Sequence, residues 1–291
     1  MIFMNILYIT SASLTGLERI VTYFRDYAFV RNTLAIAVLI ALCAALLGVV
    51  LILRRYSLLG DGLSHVAFGA ATVAATLGIL DFSLTLPVTV LAAVLILKTR
   101  ADKKIMGDAA IAMLSAGALA VGYLILDAGG GAANLGGDVC TALFGSSAIL
   151  SIDKSELLLT AAVSAILISL TVVFYYKIFS LTFDERFAKA TGTKTDAYNL
   201  AIAIVTAVVI VLGMKLAGAL LISALIVFPA MAAMRICKSF RLSLILSAII
   251  AVICAVIGVL ISILLGTPTG ATIAATDILV YGTTFLFGKY K

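Results

Sequence analysis

Charge is what this chain has least of: 12% of its 291 residues are Asp, Glu, Lys or Arg, against about 25% in soluble domains. At the same time 64% are apolar, more than a soluble interior of this size can hide, because surface-to-volume scaling leaves too little inside. That combination excludes a soluble globular enzyme, a disordered chain and a nucleic-acid-binding domain. A GxxxxGK[ST] phosphate loop is also missing, and the one Gly-Lys pair, Gly288-Lys289, stands at the extreme C-terminus. The chain therefore hydrolyses no nucleotide itself. Any uphill movement must draw on an ion gradient or on another subunit. The cysteines are four, Cys43, Cys140, Cys237 and Cys254, with no CxxC or Cys/His spacing, which removes a zinc ribbon or dithiol motif. Cys43 and Cys254 read as small packing residues in apolar runs, and no intrinsic cofactor is expected. Ile2 to Ile9 lacks a preceding basic residue and a small-residue cleavage site, so a removable signal peptide is not expected.

What is present is apolar sequence in lengths that cross a bilayer. A hydrocarbon core of about 30 Å takes roughly 20 helical residues. Runs near 33–53, 58–80, 83–98, 107–126, 156–176, 197–213, 216–234, 243–265 and 270–287 meet or approach that length. The expected fold is an all-α polytopic membrane protein with eight or nine transmembrane helices plus short interfacial and coupling helices. A shorter apolar piece at 139–151 is too brief to cross and would lie at the interface or re-enter. Placing successive loops on alternate sides puts 15 Lys and Arg residues on one side and 5 on the other. The crowded side is then cytoplasmic, with the N-terminus outside and the C-terminus inside. Residues 17–31, with Arg19, Tyr23, Arg25 and Tyr27 among apolar positions, suit an interfacial helix. The chain thus divides into an N-terminal interfacial segment, 1–32, and a single transmembrane domain, 33–291. No loop is long enough for a soluble domain.

Ionisable residues inside a bilayer are expensive and face a cavity, a partner or a substrate path. Asp61 and His65, the chain's one histidine, stand four apart, which on a helix puts both on one face, a turn apart. A carboxylate and an imidazole so placed suit Mn²⁺, Fe²⁺ or Zn²⁺. Two ligands alone bind weakly, whereas two copies meeting about a twofold axis would present two Asp and two His. The alternative is structural: Asp61 caps the helix that follows Arg55, with His65 its hydrogen-bonded neighbour. Asp277 is a second intramembrane acid, read either as hydrogen-bonded to a nearby threonine or Tyr281, or as a proton or cation relay. Asp108 suits a helix N-terminus. The glycine-rich stretch Gly129–Gly137 has no Lys-Ser/Thr after it and reads as an external loop. In Gly218–Ala230, small residues permit close helix approach and Pro229 frees a carbonyl. Packing accounts for that segment, with Ser223 a weak candidate for lining a path. Phe183-Asp184-Glu185-Arg186-Phe187-Ala188, ending at Gly192, reads as one short amphipathic helix, either a plain surface element or a docking element for a cytoplasmic partner.

Four of these segments, in order along the chain, resemble the integral-membrane permease of the zinc/manganese/iron ABC importer family. They are Leu53–His65, Phe183–Gly192, Gly218–Ala230 and Thr267–Thr272. Two departures are visible: Ala67-Phe68-Gly69 stands where the family often has Leu-Pro-Gly, and Thr267 where an acid commonly precedes the last proline. The resemblance implies a homodimeric pore in the plasma or inner membrane that takes divalent metal from an extracytoplasmic solute-binding protein. It implies Asp61 and His65 as metal-path residues. It further implies a separate cytoplasmic ATP-binding subunit docking at Phe183, Asp184, Glu185, Arg186 and Phe187. Membrane lipid is the remaining partner, and nucleic acid is not one. Competing expectations are a proton-coupled secondary transporter with Asp277 as carrier acid, and an ABC permease for a metal chelate.

Overall fold

The computed structural model describes residues 22, 24–78, 81–101, 107–128, 154–219 and 221–287. Among them every regular element is helical. In order these are α1 (Ala28–Leu53), α2 (Ser57–Thr76), α3 (Asp81–Ala101), α4 (Gly107–Ala128), α5 (Lys154–Val173), α6 (Tyr175–Phe183), α7 (Glu185–Ala190), α8 (Thr195–Ala217), α9 (Ile222–Ile236), α10 (Phe240–Leu265) and α11 (Thr269–Phe287). Seven of the nine apolar runs overlap one helix each, whereas 156–176 runs past the break at Phe174 into α6 and 216–234 begins in the last turn of α8, ahead of α9. Five of these helices, α1, α2, α5, α8 and α10, are by themselves long and apolar enough to cross a membrane, and shorter apolar helices lie within α3, α4 and α9. The expected interfacial piece at 139–151 falls outside the described residues.

The first helix starts earlier than its apolar run. Tyr27 is extended (φ −115°, ψ 107°), and α1 begins at Ala28, five residues before the run that starts at 33. Arg31 does not prevent this: its guanidinium turns back to donate to the carbonyls of Phe24 (3.0 Å) and Arg25 (3.3 Å). A long basic side chain can lay its stem on the helix and keep its head in a polar layer.

At the centre stands α1, packed against α5, α8, α9 and α10. Two-thirds of the most apolar window of α1 and of α2 is buried, against 17% for α5. Without a hydrophobic drive between helices in lipid, such bundles are held by close packing of small residues. Gly48 of α1 faces the Ile226 carbonyl of α9, where a Cβ would collide with it. That carbonyl adjoins Leu225, whose helical hydrogen bond Pro229 cannot supply. Between α2 and α4 the approach is glycine to glycine. A Cβ on Gly122 would sit 2.8 Å from Gly69 Cα and 2.9 Å from Thr72 Oγ1.

The end of α10 shows how a span is stopped. Gly266 takes the left-handed conformation (φ 66°) and donates to Ser262. Ser262 Oγ in turn donates to the Thr267 carbonyl (2.6 Å) and lies 3.0 Å from Thr269 Oγ1. The turn that leads into α11 is therefore closed by side-chain hydroxyls as well as by glycine.

Candidate metal site

The carboxylate–imidazole pair sits on α2. That helix begins at Ser57, with Tyr56 in the capping position and no side-chain cap. Asp61 is therefore a full turn inside the helix and caps nothing, because the chain turns at Arg54–Tyr56 instead. That turn is tight. Arg55 has φ 58°, the one non-glycine residue with positive φ among the described residues, and Tyr56 N–H donates to the Leu51 carbonyl at 2.7 Å.

Small residues decide which face of α2 is covered. Gly62 abuts Ile111 of α4, where a Cβ would lie 2.5 Å from the Ile111 methyl, and Gly60 meets Ile226 of α9. Leu59, Leu63 and Phe68 are buried. Leu58 and Asp61 remain open, the Asp61 side chain 47% exposed, while the His65 side chain one turn on is largely covered at 14%. His65 Nε2 lies 3.7 Å from Asp61 Oδ1, too long for a good hydrogen bond, and His65 Nδ1 is buried without a partner. The expected hydrogen-bonded neighbour pair is thus not formed. The two donor atoms would subtend about 120° at an ion about 2.1 Å from each. No cluster of three or more His, Cys, Asp or Glu exists among the described residues.

Ser223, in the first turn of α9, is half-buried and belongs to an element that reaches α2 through Ile226 and Gly60. Asp277 is on α11, whose main packing partners are α8, α9 and α10. It is 2% exposed, with the Cys254 thiol of α10 beside its carboxylate and neither oxygen reached by a hydroxyl, an amide or a backbone N–H. The expected bond to a threonine or Tyr281 does not exist: Thr276 Oγ1 donates to the carbonyls of Ile273 (2.7 Å) and Cys254 (3.1 Å) instead. Asp108 falls on the first turn of α4, as expected.

The 183–192 segment differs from the single helix expected. Phe183 is the last residue of α6, Asp184 is extended (φ −147°, ψ 94°), and α7 starts at Glu185. Asp184 Oδ1 accepts from Phe187 N–H at 2.9 Å, an N-cap that satisfies one of the free donors of the short helix. Gly192 (φ 82°) ends it. Phe183 and Phe187 are 59% and 61% exposed. Three residues that sequence reasoning did not connect meet at α7: Glu185 accepts from Asn199 Nδ2 at 2.7 Å and from Arg54 Nη2 at 3.4 Å. No local spacing signals that contact, since Arg54 and Glu185 are 131 residues apart.

Known proteins share both the sequence and this architecture. The chain is 30% identical over 220 residues to a probable metal transport system membrane protein of Treponema pallidum, covering 76% of this chain and 80% of that one. It is 26% identical over 269 residues to the manganese import system permease protein ScaB of Streptococcus gordonii, covering 92% and 95%. Of solved structures, PsaBC from Streptococcus pneumoniae in complex with Fab superposes with a TM-score of 0.81 at 27% identity, over 94% of this chain and 96% of that one. A putative metal-chelate type ABC transporter in an inward-facing conformation has the same fold, with a TM-score of 0.70 at 16% identity. The model of the ABC 3 transport family matches residues 26–288, nearly the whole of the helical bundle, and the chain belongs to that family.

Proposed function

We propose that this chain is the membrane-spanning permease subunit of an ABC importer for divalent metal ions, with nine crossings and a cytoplasmic C-terminus. It works as one half of a homodimer. Manganese is the favoured cargo, because relatives matched over most of their length are named manganese import permeases. The observation that carries the proposal is the Asp61–His65 pair, half open at Asp61, on a helix otherwise two-thirds buried. A second copy facing this pair would complete a site of two carboxylates and two imidazoles. Mixed oxygen and nitrogen donors hold Mn²⁺ or Fe²⁺ without the thiolates that select softer ions, and loosely enough for the ion to leave.

The rest of the assembly follows from the same reading. An extracytoplasmic solute-binding protein delivers the metal. A cytoplasmic ATPase docks against Phe183, Asp184, Glu185, Arg186 and Phe187, where two aromatic side chains stand exposed. Ser223 borders the path. The test is manganese(II) uptake by vesicles holding the permease–ATPase complex. His65→Ala and Asp61→Ala are each expected to abolish uptake while the chain still inserts and assembles. Normal uptake by both variants removes the site assignment.

One observation favours a second reading. A carboxylate buried inside the bundle, Asp277, is what a proton-coupled secondary carrier would need. Collapsing the proton gradient while ATP is maintained separates the two, since the carrier stops and the importer continues.

A further inference from the structure

The contact at α7 ties the proposed docking segment to the helix that bears the metal pair. Glu185 is the first residue of α7. One carboxylate oxygen accepts from Asn199 on α8 at 2.7 Å, and the other pairs with Arg54 at 3.4 Å. The Arg54 side chain is only 5% exposed, and its guanidinium carbon lies 5.1 Å from the centre of the Tyr56 ring. The Glu185 side chain is 47% exposed, so its carboxylate meets this buried cation from the solvent side and water screens part of their attraction. Glu185 therefore holds a cation at the turn that joins α1 to α2.

That turn is built to transmit rather than absorb displacement. Arg54, Arg55 and Tyr56 donate to Val50, Ile52 and Leu51 at 3.2, 2.9 and 2.7 Å, so the end of α1 and the start of α2 are locked together. Arg55 is held at φ 58° inside it, a conformation that a side chain of this size adopts only when its surroundings impose it. From Tyr56 to His65 is about 14 Å along the axis of α2, with no break in the helix between them. A push on α7 thus has a charged handle at one end and the Asp61–His65 pair at the other.

We infer that Glu185, clamped between Arg54 and Asn199, is the positioning residue that carries movement of α7 to α2 and its metal pair. This rests on the importer reading above. Coupling elements of this type, when broken, change the linkage between sites by about two- to thirtyfold.

The experiment uses the permease co-purified with its ATPase, in vesicles, and reads manganese(II) taken up per ATP hydrolysed. Arg54→Gln removes the charge and Asn199→Ala removes the second arm, and neither residue belongs to the docking face or the metal pair. Uptake per ATP is expected to fall about tenfold in Arg54→Gln and about threefold in Asn199→Ala. ATP hydrolysis should stay within about twofold of wild type, and Arg54→Lys, which keeps the charge, should recover most of the ratio. A ratio at the wild-type value in both variants overturns the inference. So does a loss of hydrolysis or assembly in parallel with uptake, which would make the contact a plain structural staple. If wild-type vesicles take up manganese without nucleotide, the importer reading itself fails, independently of any variant, and the inference falls with it.

Discussion

Two glycines in helix interiors should respond to the same substitution with opposite consequences. A Cβ added to Gly69 on α2 would lie 2.5 Å from the Ala118 carbonyl oxygen and 3.2 Å from its carbon. That is about 0.9 Å short of ordinary contact, and the obstacle is main chain, which cannot rotate aside. Gly282 on α11 has nothing within 4 Å of its added Cβ. Both replacements gain the same helix propensity, about 1 kcal/mol. Only Gly69→Ala adds overpacking, about 1–3 kcal/mol. The propensity gain cancels in the comparison, so Gly69→Ala should be less stable than Gly282→Ala by about 1–3 kcal/mol. At about 2–4 °C per kcal/mol for a chain of this order of size, their thermal midpoints in one detergent should differ by several degrees. Metal uptake should fall in Gly69→Ala alone, because α2 carries the Asp61–His65 pair on which the proposed site rests. Equal midpoints, or a lower one for Gly282→Ala, would refute the claim that α2 and α4 touch through their main chains.

Two other outcomes follow. Asp277→Asn replaces a carboxyl buried inside the bundle with an amide of the same shape that cannot ionise; the cost of burying a charge is gone while that of burying a polar group stays, so the midpoint should equal or exceed wild type, with uptake unchanged. Lost uptake in that variant would favour the proton-coupled carrier. Asp184→Ala removes the cap accepted from Phe187 N–H, worth about 0.5–2 kcal/mol; hydrogen exchange should quicken at Phe187 while the global midpoint stays put. Unchanged exchange there would show that the cap does not hold α7.

The helices were legible because apolar runs leave little choice of structure in a bilayer. Their ends were less so: α1 begins before its apolar run, since Arg31 can satisfy the carbonyls of Phe24 and Arg25. The break at Phe174 between α5 and α6 carries neither proline nor glycine, and an aromatic face of Tyr175, Phe179 and Phe183 against Phe240 takes over there. Asp61 and His65 could be paired by spacing alone, because four residues is one turn. Whether Asp61 caps the helix depended on where the helix begins, and that is set by the turn at Arg54–Tyr56. The Arg54–Glu185–Asn199 contact joins three elements that only folding brings together. That Asp277 has no threonine partner was invisible for the same reason, since composition does not reveal where Thr276 sends its hydroxyl.

The glycine crossings also restrict how the bundle can rearrange. Where backbone lies directly on backbone, as between α2 and α4 or between Gly258 of α10 and Ile273 of α11, no side chain is left to flex as a cushion. Such partners travel as one rigid plate. Any reorientation of the acid and imidazole must drag α4 along, so a fluorophore on the outer flank of α4, at Met113 or Tyr123, both more than half exposed, would read the opening of the ion's niche without touching it.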